Sequence, residues 1–432
     1  MDYIRGIVGL LVLVLLAFLL SQNRKAINWR LVTTGLALQL IAGILILKVP
    51  LIAKLFEKVS EGFVKFLSFS EAGAEFLFGG LVDESSFGFI FAFQVLPTII
   101  FFSTVSAGLY YLGILQKIVY GIAWIMARTM GLSGAESLSA AGNIFLGQTE
   151  APLLVRPYIP KMTYSELMCL MTGGMATIAG GVLAGYVAFL GGDDPVERTR
   201  FAAYLLSASI MNAPAAIVIS KIIIPEKGSN PISTELKVNE ESLGVNLIDA
   251  LSRGAADGLR LAVNVGGMLL AFIAVIAFIN FLLKDLIGEL TNLNSLVVSS
   301  TDGEFDGFSL EYLLGQIFRI FAFVMGIDWS ETLEVGSLLG QKTVINEFVA
   351  YLSMSEMKAE GIISGKALVV ATYALCGFSN FSSIAIQIGG IGSIAPNQQS
   401  NLSRLGLWAL LAATIACMMT GTIAGMFVTS PN

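Results

Sequence analysis

The chain contains no histidine. That removes His-based triads, His metal ligation and His proton relays. Charge is scarce too: 13% of the 432 residues are Asp, Glu, Lys or Arg, against about 25% in a soluble protein. With 55% apolar residues and a mean hydropathy of +0.79, the balance argues against a soluble enzyme. The three cysteines, Cys169, Cys376 and Cys417, all lie in apolar stretches and form no CxxC pair. They read as small core residues, without a disulfide framework or thiolate metal site. A net charge of −6 argues against a nucleic-acid partner.

Long uncharged runs are abundant. A spanning helix needs about 20 mostly apolar residues. Runs free of Asp, Glu, Lys and Arg fall at 6–23, 31–47, 85–116, 167–192, 201–220, 261–283, 367–403 and 405–432. They predict about eight membrane spans in an all-α polytopic protein. Forty-five glycines fit that class. The run 85–116 exceeds one span and should continue into an interfacial helix. The run 367–403 should end near Ile391, before a polar stretch from Pro396 to Asn401.

No small-residue cleavage site follows the first run, so it reads as a retained helix rather than a signal peptide. Arg24, Lys25 and Arg30 come after it. They place the first loop in the cytoplasm and, through eight spans, both termini outside. Residues 51–66 set Lys54, Lys58 and Lys65 among Leu, Phe and Val, the pattern of an interfacial amphipathic helix. Residues 224–260 are the most polar and read as a cytoplasmic connector, with Asn246 as the N-cap of a helix inside it.

Two segments are too broken for a span and too apolar for a loop: 132–160 and roughly 308–352. The first carries Glu150 in GQTEAP, the second Glu347 in NEFVAY. Ionisable residues at membrane depth are costly and usually face a cavity or pathway; the alternative is that both acids sit in loops or cap helices. Each broken segment precedes a Gly-interrupted span, Met171–Gly185 and Cys376–Gly392. Glu150 precedes Thr177 by 27 residues, and Glu347 precedes Asn380 by 33. Interrupted helices expose backbone groups that only protein or a cavity satisfies. Close packing through small residues would explain either Gly cluster alone. Paired broken segments in corresponding halves point instead to a secondary transporter with an inverted repeat and a midplane site.

Gln148, Thr149, Glu150, Glu347, Asn380 and Ser383 offer both donors and acceptors. No unpaired Arg or Lys is read near these motifs except Arg156, which argues against a phosphate or carboxylate as the cargo's main feature. A neutral polyhydroxylated or heterocyclic solute fits better. Asn380 and Ser383 share a face if helical. Phe378 is a stacking surface or an ordinary packing residue. Asn143 and Thr177 can supply oxygens to a cation at a broken helix, or act as a cap and a back-bonded hydroxyl.

GQTEAP at 147–152, NEFVAY at 346–351 and GFSNFSSIAIQIGGIG at 377–392 strongly resemble the concentrative nucleoside transporters in their bacterial form. The resemblance runs from about residue 85 to the C-terminus. It implies eight transmembrane helices, two re-entrant hairpins opening from opposite sides, interfacial helices, and a homotrimer in the bacterial inner membrane whose protomers each move a transport domain. By that pattern, 1–112 holds scaffold helices and the interfacial helix. Residues 113–222 form the first half of the transport domain, with its hairpin at 132–160. Residues 223–283 form the connector and the scaffold helix at the trimer contact. Residues 284–432 form the second half, with its hairpin at about 308–352.

The resemblance also implies roles. Gln148, Thr149 and Glu150 would contact the nucleobase, with Val182 as an apolar neighbour. Glu347, Asn380 and Ser383 would contact the ribose, with Phe378 alongside. Asn143 and Thr177 side chains and the Leu146 and Ile178 carbonyls would hold sodium. Thr177 is Ser in some relatives; the hydroxyl is kept. The function implied is sodium-driven nucleoside import, for uridine and other nucleosides. Proton coupling in the same fold, a channel, and an intramembrane enzyme using Glu150 and Glu347 are the alternatives. The last lacks a nucleophile–base pair or metal motif.

Overall fold

The computed structural model describes residues 2–83, 87–88, 90–192, 194–227 and 244–427, and among them no strand occurs. The chain begins with α1 (Asp2–Leu19), α2 (Trp29–Lys48) and α3 (Pro50–Phe78). The amphipathic helix foreseen at 51–66 is therefore longer: Pro50 starts it and only Gly79, at φ +55°, ends it. After a short turn, α4 (Leu96–Tyr111) ends near Gly113, whose φ of +71° redirects the chain into α5 (Ile114–Met130). This matches the reading of 85–116 as a span that continues into a second helix; residues 84–86 and 89 lie outside the described residues.

The first hairpin starts with α6 (Gly134–Gly142). Ser133 and Glu136 form a capping box at its start, the reciprocal satisfaction of two orphan N–H groups. The chain turns through 143–150 into a short helix, Ala151–Leu154. Next come α7 (Tyr164–Ala176) and α8 (Gly180–Gly191), the two pieces of one broken span. The long helix α9 (Pro195–Ile223) contains Pro214, and α10 (Leu247–Asn280) follows.

Here the connector reading needs correction. Asn246 does cap a helix, accepting from Asp249 N at 2.9 Å. That helix is not separate from the span at 261–283. It runs on without a break, carrying Arg253, Asp257 and Arg260 along its first turns. It contains no proline, and its glycines stay within the helix, so the polar end and the apolar span form one rod. The remaining connector residues, 228–243, lie outside the described residues.

In the second half, α11 (Leu310–Val324) packs along α12 (Thr332–Val344). α12 turns at Ile345 and Asn346 into α13 (Glu347–Ala359). The helix pair with Glu347 at its tip thus spans 332–359 rather than about 308–352, and 310–324 is a helix of its own. The cause is local: Gly326 at φ +95° ends α11, whereas Asn346 caps α13 by accepting from Val349 N at 3.0 Å. α14 (Gly365–Leu375), α15 (Phe381–Ile394) and α16 (Gln399–Phe427) complete the chain.

Among the described residues seven helices are long and apolar enough to cross a membrane. The remaining run, 367–403, is split between α14 and α15 at 376–380. Burial sorts the spans. In an 18-residue apolar stretch of the broken span Tyr164–Gly191, 94% of residues are buried, against 11% in that of Leu247–Thr291. α9 and α16 are buried at the centre, against α7, α8, α14 and α2. α1 and α10 turn rows of Ile, Leu, Val and Phe outward, the surface a lipid environment accepts.

Candidate functional site

The two broken spans cross where each lacks helical hydrogen bonds. Phe378 N donates to Thr177 O at 3.3 Å, tying one interruption to the other. Gly377 lies at φ +155°, and a Cβ there would stand 2.7 Å from Ala176 O and 2.8 Å from Cys417 Sγ. Only glycine allows that approach. The freed carbonyls are satisfied from α9. Asn212 Nδ2 donates to Ala176 O at 2.7 Å and to Cys376 O at 2.6 Å. Cys417 Sγ supports the same two carbonyls at 3.5 and 3.4 Å. One amide thus closes both helix ends, each of which would cost about 1–3 kcal/mol unsatisfied.

Around this crossing the motifs meet. Glu347 stands at the first position of α13 and is 3% exposed. Its Oε1 accepts from Tyr186 OH at 2.8 Å and its Oε2 from Asn380 Nδ2 at 2.7 Å. Asn380 is the N-cap of α15, its Oδ1 accepting from Ser383 N at 2.9 Å. Ser383 Oγ accepts from Gln148 Nε2 at 3.0 Å. Gln148 Oε1 accepts from Gln387 Nε2 at 3.1 Å, and that amide also donates to Met171 O at 3.1 Å. A continuous polar chain therefore runs Tyr186–Glu347–Asn380–Ser383–Gln148–Gln387. It joins residues up to 239 positions apart in sequence. Gly174 makes room for it: a Cβ there would stand 2.6 Å from Gln387 Nε2.

The other expected base-side residues are arranged differently. Thr149 and Glu150 are exposed. Glu150 Oε2 accepts from Gly147 N at 3.3 Å, so in this conformation the carboxylate also caps its own turn. Thr149 borders Gly390 of α15. Val182 is buried in the first turn of α8, and Phe378 is buried at the crossing. A carboxylate has about four lone-pair sites, and Glu347 uses one on each oxygen. It retains capacity for hydroxyl donors.

The expected cation residues cluster on the other side of Gln148. Asn143, at the end of α6, is 1% exposed, and neither side-chain atom has a hydrogen-bond partner among the described residues. It lies against Gly173, whose carbonyl also accepts from Thr177 Oγ1 at 2.9 Å. Leu146 and Ile178 are buried beside them in sequence. A buried amide left open is the feature a missing ligand explains. Among the described residues no group of three His, Cys, Asp or Glu side chains forms a metal cluster. Neutral oxygens at an interrupted helix suit a monovalent cation.

Four functional side chains escaped the sequence reading. Tyr186 sits in a Gly-rich apolar run with nothing to mark it. Gln387 had a signal: with Asn380 and Ser383 it occupies one face of α15. Asn212 stood beside Pro214 in an apolar span, where a lone amide was the clue. Lys342 is a cation near the motifs whose pairing only the structure reveals. It lies five residues before Glu347, is 1% exposed, and donates to Ala374 O at 2.9 Å.

Comparison with known proteins supplies the identity of this frame. Residues 8–81 match the model of the Na+ dependent nucleoside transporter N-terminus. Residues 92–193 match the nucleoside recognition model, and residues 204–425 that of the Na+ dependent nucleoside transporter C-terminus. An uncharacterized transporter of Haemophilus influenzae is 40% identical, covering 99% of this chain and 98% of its own length. Solute carrier family 28 member 3 of Eptatretus stoutii is 42% identical over 97% of this chain, which spans 59% of that longer protein. The solved structure of CNTnw in an inward-facing substrate-bound state superposes with a TM-score of 0.87 at 39% identity, covering 99% of this chain and 98% of CNTnw. With matches along nearly its whole length, the chain belongs to the sodium-dependent concentrative nucleoside transporters, a family of membrane transporters and not of enzymes.

Proposed function

We infer that the chain is a symporter that imports nucleosides, uridine among them, down a sodium gradient across the bacterial inner membrane. The observation that carries this reading is the polar chain binding the two halves together, Gln148 to Ser383 and Asn380 to Glu347. Glu347, Asn380 and Ser383 take the ribose, where a carboxylate accepts hydroxyls and an amide serves both partners. Phe378 lies alongside. Gln148, Thr149 and Glu150 take the base edge, with Val182 as the apolar contact. The exposure of Thr149 and Glu150 fits a segment that closes over its solute.

Sodium is the coupling ion of the family. Here it is held by the Asn143 and Thr177 side chains and the Leu146 and Ile178 carbonyls. When bound it supplies a positive charge beside the Gln148–Glu150 turn. Asn143 leads directly into that turn, so ordering Asn143 orders the base-side residues. Sodium and nucleoside then raise each other's affinity by the same factor. Hairpins and broken spans, in 113–222 and 284–432, move together as the transport domain. The helices of 1–112 and the long α10 form the scaffold through which three protomers associate. The movement is of an elevator kind.

The test is uridine uptake into proteoliposomes under an inward sodium gradient and, separately, an inward proton gradient. Accumulation above the external concentration with sodium alone supports cargo and coupling. Accumulation with protons alone keeps the cargo and discards the Asn143–Thr177 site. Equilibration without accumulation would mean a channel.

A further inference from the structure

Each broken span ends its first piece at the crossing, α7 at Ala176 and α14 at Leu375. A helix end leaves carbonyls without N–H partners and carries the negative pole of the helix dipole. The first helix of a hairpin packs on each of these pieces, α6 on α7 and α12 on α14. The two hairpin helices correspond in register: Glu136 is the third residue of α6, and Glu334 is the third residue of α12. Asn143 follows Glu136 by seven residues, and Lys342 follows Glu334 by eight.

The two hairpins bring different groups to these ends. In the first half, Gly173 O is closed from within the span, by Thr177 Oγ1 at 2.9 Å. The hairpin adds Asn143, a neutral side chain, 1% exposed, lying against Gly173 with its amide open. Among the described residues no Lys or Arg side chain bonds to this end.

In the second half, Ala374 O loses its helical donor, because Phe378 N, four residues on, donates to Thr177 O instead. Lys342 replaces that donor: its Nζ donates to Ala374 O at 2.9 Å. Lys342 is 1% exposed, and among the described residues no carboxylate pairs with it. Taking an ammonium out of water without an ion pair costs several kcal/mol. A neutral donor could close one carbonyl without that cost. The charge itself is therefore what the position retains, and it stands where the helix dipole favours it.

We propose that Lys342 is the built-in cation of the second broken span, a positioning residue that does for the end of α14 what a free cation does for the end of α7. Its tether makes it non-exchangeable. It fastens Ala374, and with it the 377–380 turn that carries Phe378 and Asn380 into the polar chain at the crossing. The second half stays ordered without an ion, and ion dependence is confined to the first half. The contrast between the two ends rests on the sodium reading given above; the clamp on α14 does not.

Hydrogen exchange of the purified full chain in detergent, read by mass spectrometry, tests both parts. Wild type, Lys342→Met and Lys342→Arg are compared in sodium chloride and in choline chloride. Met keeps the stem and removes the charge; Arg keeps the charge. In wild type, sodium is expected to slow exchange at 143–150 and 177–180 and to leave 376–383 unchanged. In Lys342→Met, exchange at 376–383 is expected to rise about tenfold or more in either salt, the loss of a hydrogen bond to a charged group. The sodium response at 177–180 should persist, and Lys342→Arg should recover most of the protection. Should Lys342→Met fail to fold, Lys342→Gln, which keeps a donor without the charge, takes its place.

Binding supplies a readout that a general loss of structure would not move. In Lys342→Met, uridine is expected to lose about tenfold in affinity, while a dideoxyuridine lacking both ring hydroxyls loses little. Wild-type exchange at 376–383 in Lys342→Met overturns the proposal. So does a rise spread evenly along the chain, an equal loss of affinity for the two nucleosides, or sodium protection in wild type as large at 376–383 as at 177–180. If wild type binds no uridine and sodium leaves 177–180 unchanged, the cargo and ion reading fails, and exchange at 376–383 still decides for or against the clamp.

Discussion

The first half of the molecule fixes its cation at the base of a hairpin and leaves the tip open; the second half does the reverse. At the base of hairpin 1, Lys221 is locked to Glu136, and at the tip Asn143 has a buried amide with no partner. At the base of hairpin 2, Glu334 has no hydrogen-bonded or ion-paired cation among the described residues, whereas deep in the hairpin Lys342 is tied to Ala374 O, and at the tip both Glu347 oxygens are bonded. The same frame, hairpin then broken span, thus carries two charge arrangements. A tip with an unsatisfied amide needs a mobile ligand to complete it. A tip near a tethered ammonium carries its positive charge permanently, at the end of α14 where the helix dipole favours it. The comparison supports the proposed ion site in the first half and sets it against a fixed cation in the second.

The strongest way to break this comparison is to remove the fixed cation of the first half. Lys221→Met leaves Glu136 buried and uncompensated, and is expected to cost about 3–5 kcal/mol of stability. Denaturant unfolding in detergent reads this, and adding Glu136→Gln to it should recover part of the loss. If Lys221→Met is neutral, the two hairpin bases are not electrostatically different.

Next comes the tip of the second half. Glu347→Gln removes a charged acceptor whose hydrogen bonds are worth roughly 1.5–3 kcal/mol, so nucleoside affinity should fall about 10- to 150-fold. Calorimetric titration with uridine at saturating sodium measures it, and wild-type affinity would take Glu347 out of the site.

The tip of the first half should respond to sodium instead. For Asn143→Ala the expected result is a higher sodium concentration for half-maximal uptake, with a coupling loss of about 1–3 kcal/mol. Nucleoside affinity at saturating sodium should change less. A sodium activation curve identical to wild type would remove the contrast between the tips.

The smallest effect belongs to a residue that touches both halves. Tyr186→Phe deletes one donor to Glu347 and should cost about 0.5–1.5 kcal/mol, seen as a modest drop in nucleoside affinity with sodium activation unchanged. A shift in sodium activation would mean that Tyr186 acts across the halves.

Much of this architecture can be read in the residues as written. Uncharged runs near 20 residues give spans because lipid leaves the backbone no other partner. Capping signals such as Ser133 with Glu136, and Asn246, mark true helix starts. GQTEAP, NEFVAY and the Asn380–Ser383 face marked a candidate site, and the structure brings Gln148, Ser383, Asn380 and Glu347 into one network. Boundaries were harder. The polar 247–260 stretch reads as a connector with a helix of its own because its charges look like solvated surface, yet no proline parts that helix from the span. The second hairpin was placed too early because 310–324 is as apolar as the hairpin it packs on.

Composition and local pattern decided the class, the spans and the paired interruptions, because the bilayer and the helix period act on neighbouring residues. Tertiary structure alone decided which groups meet. Asn212 reaches two helix ends 36 and 164 residues away, and Tyr186 reaches a carboxylate 161 residues on. Whether a buried acid finds a lysine, as Glu136 does, or a phenol and an amide, as Glu347 does, depends on how distant helices pack; hydrogen bonds and ion pairs act over a few ångströms of space, whatever the separation along the chain.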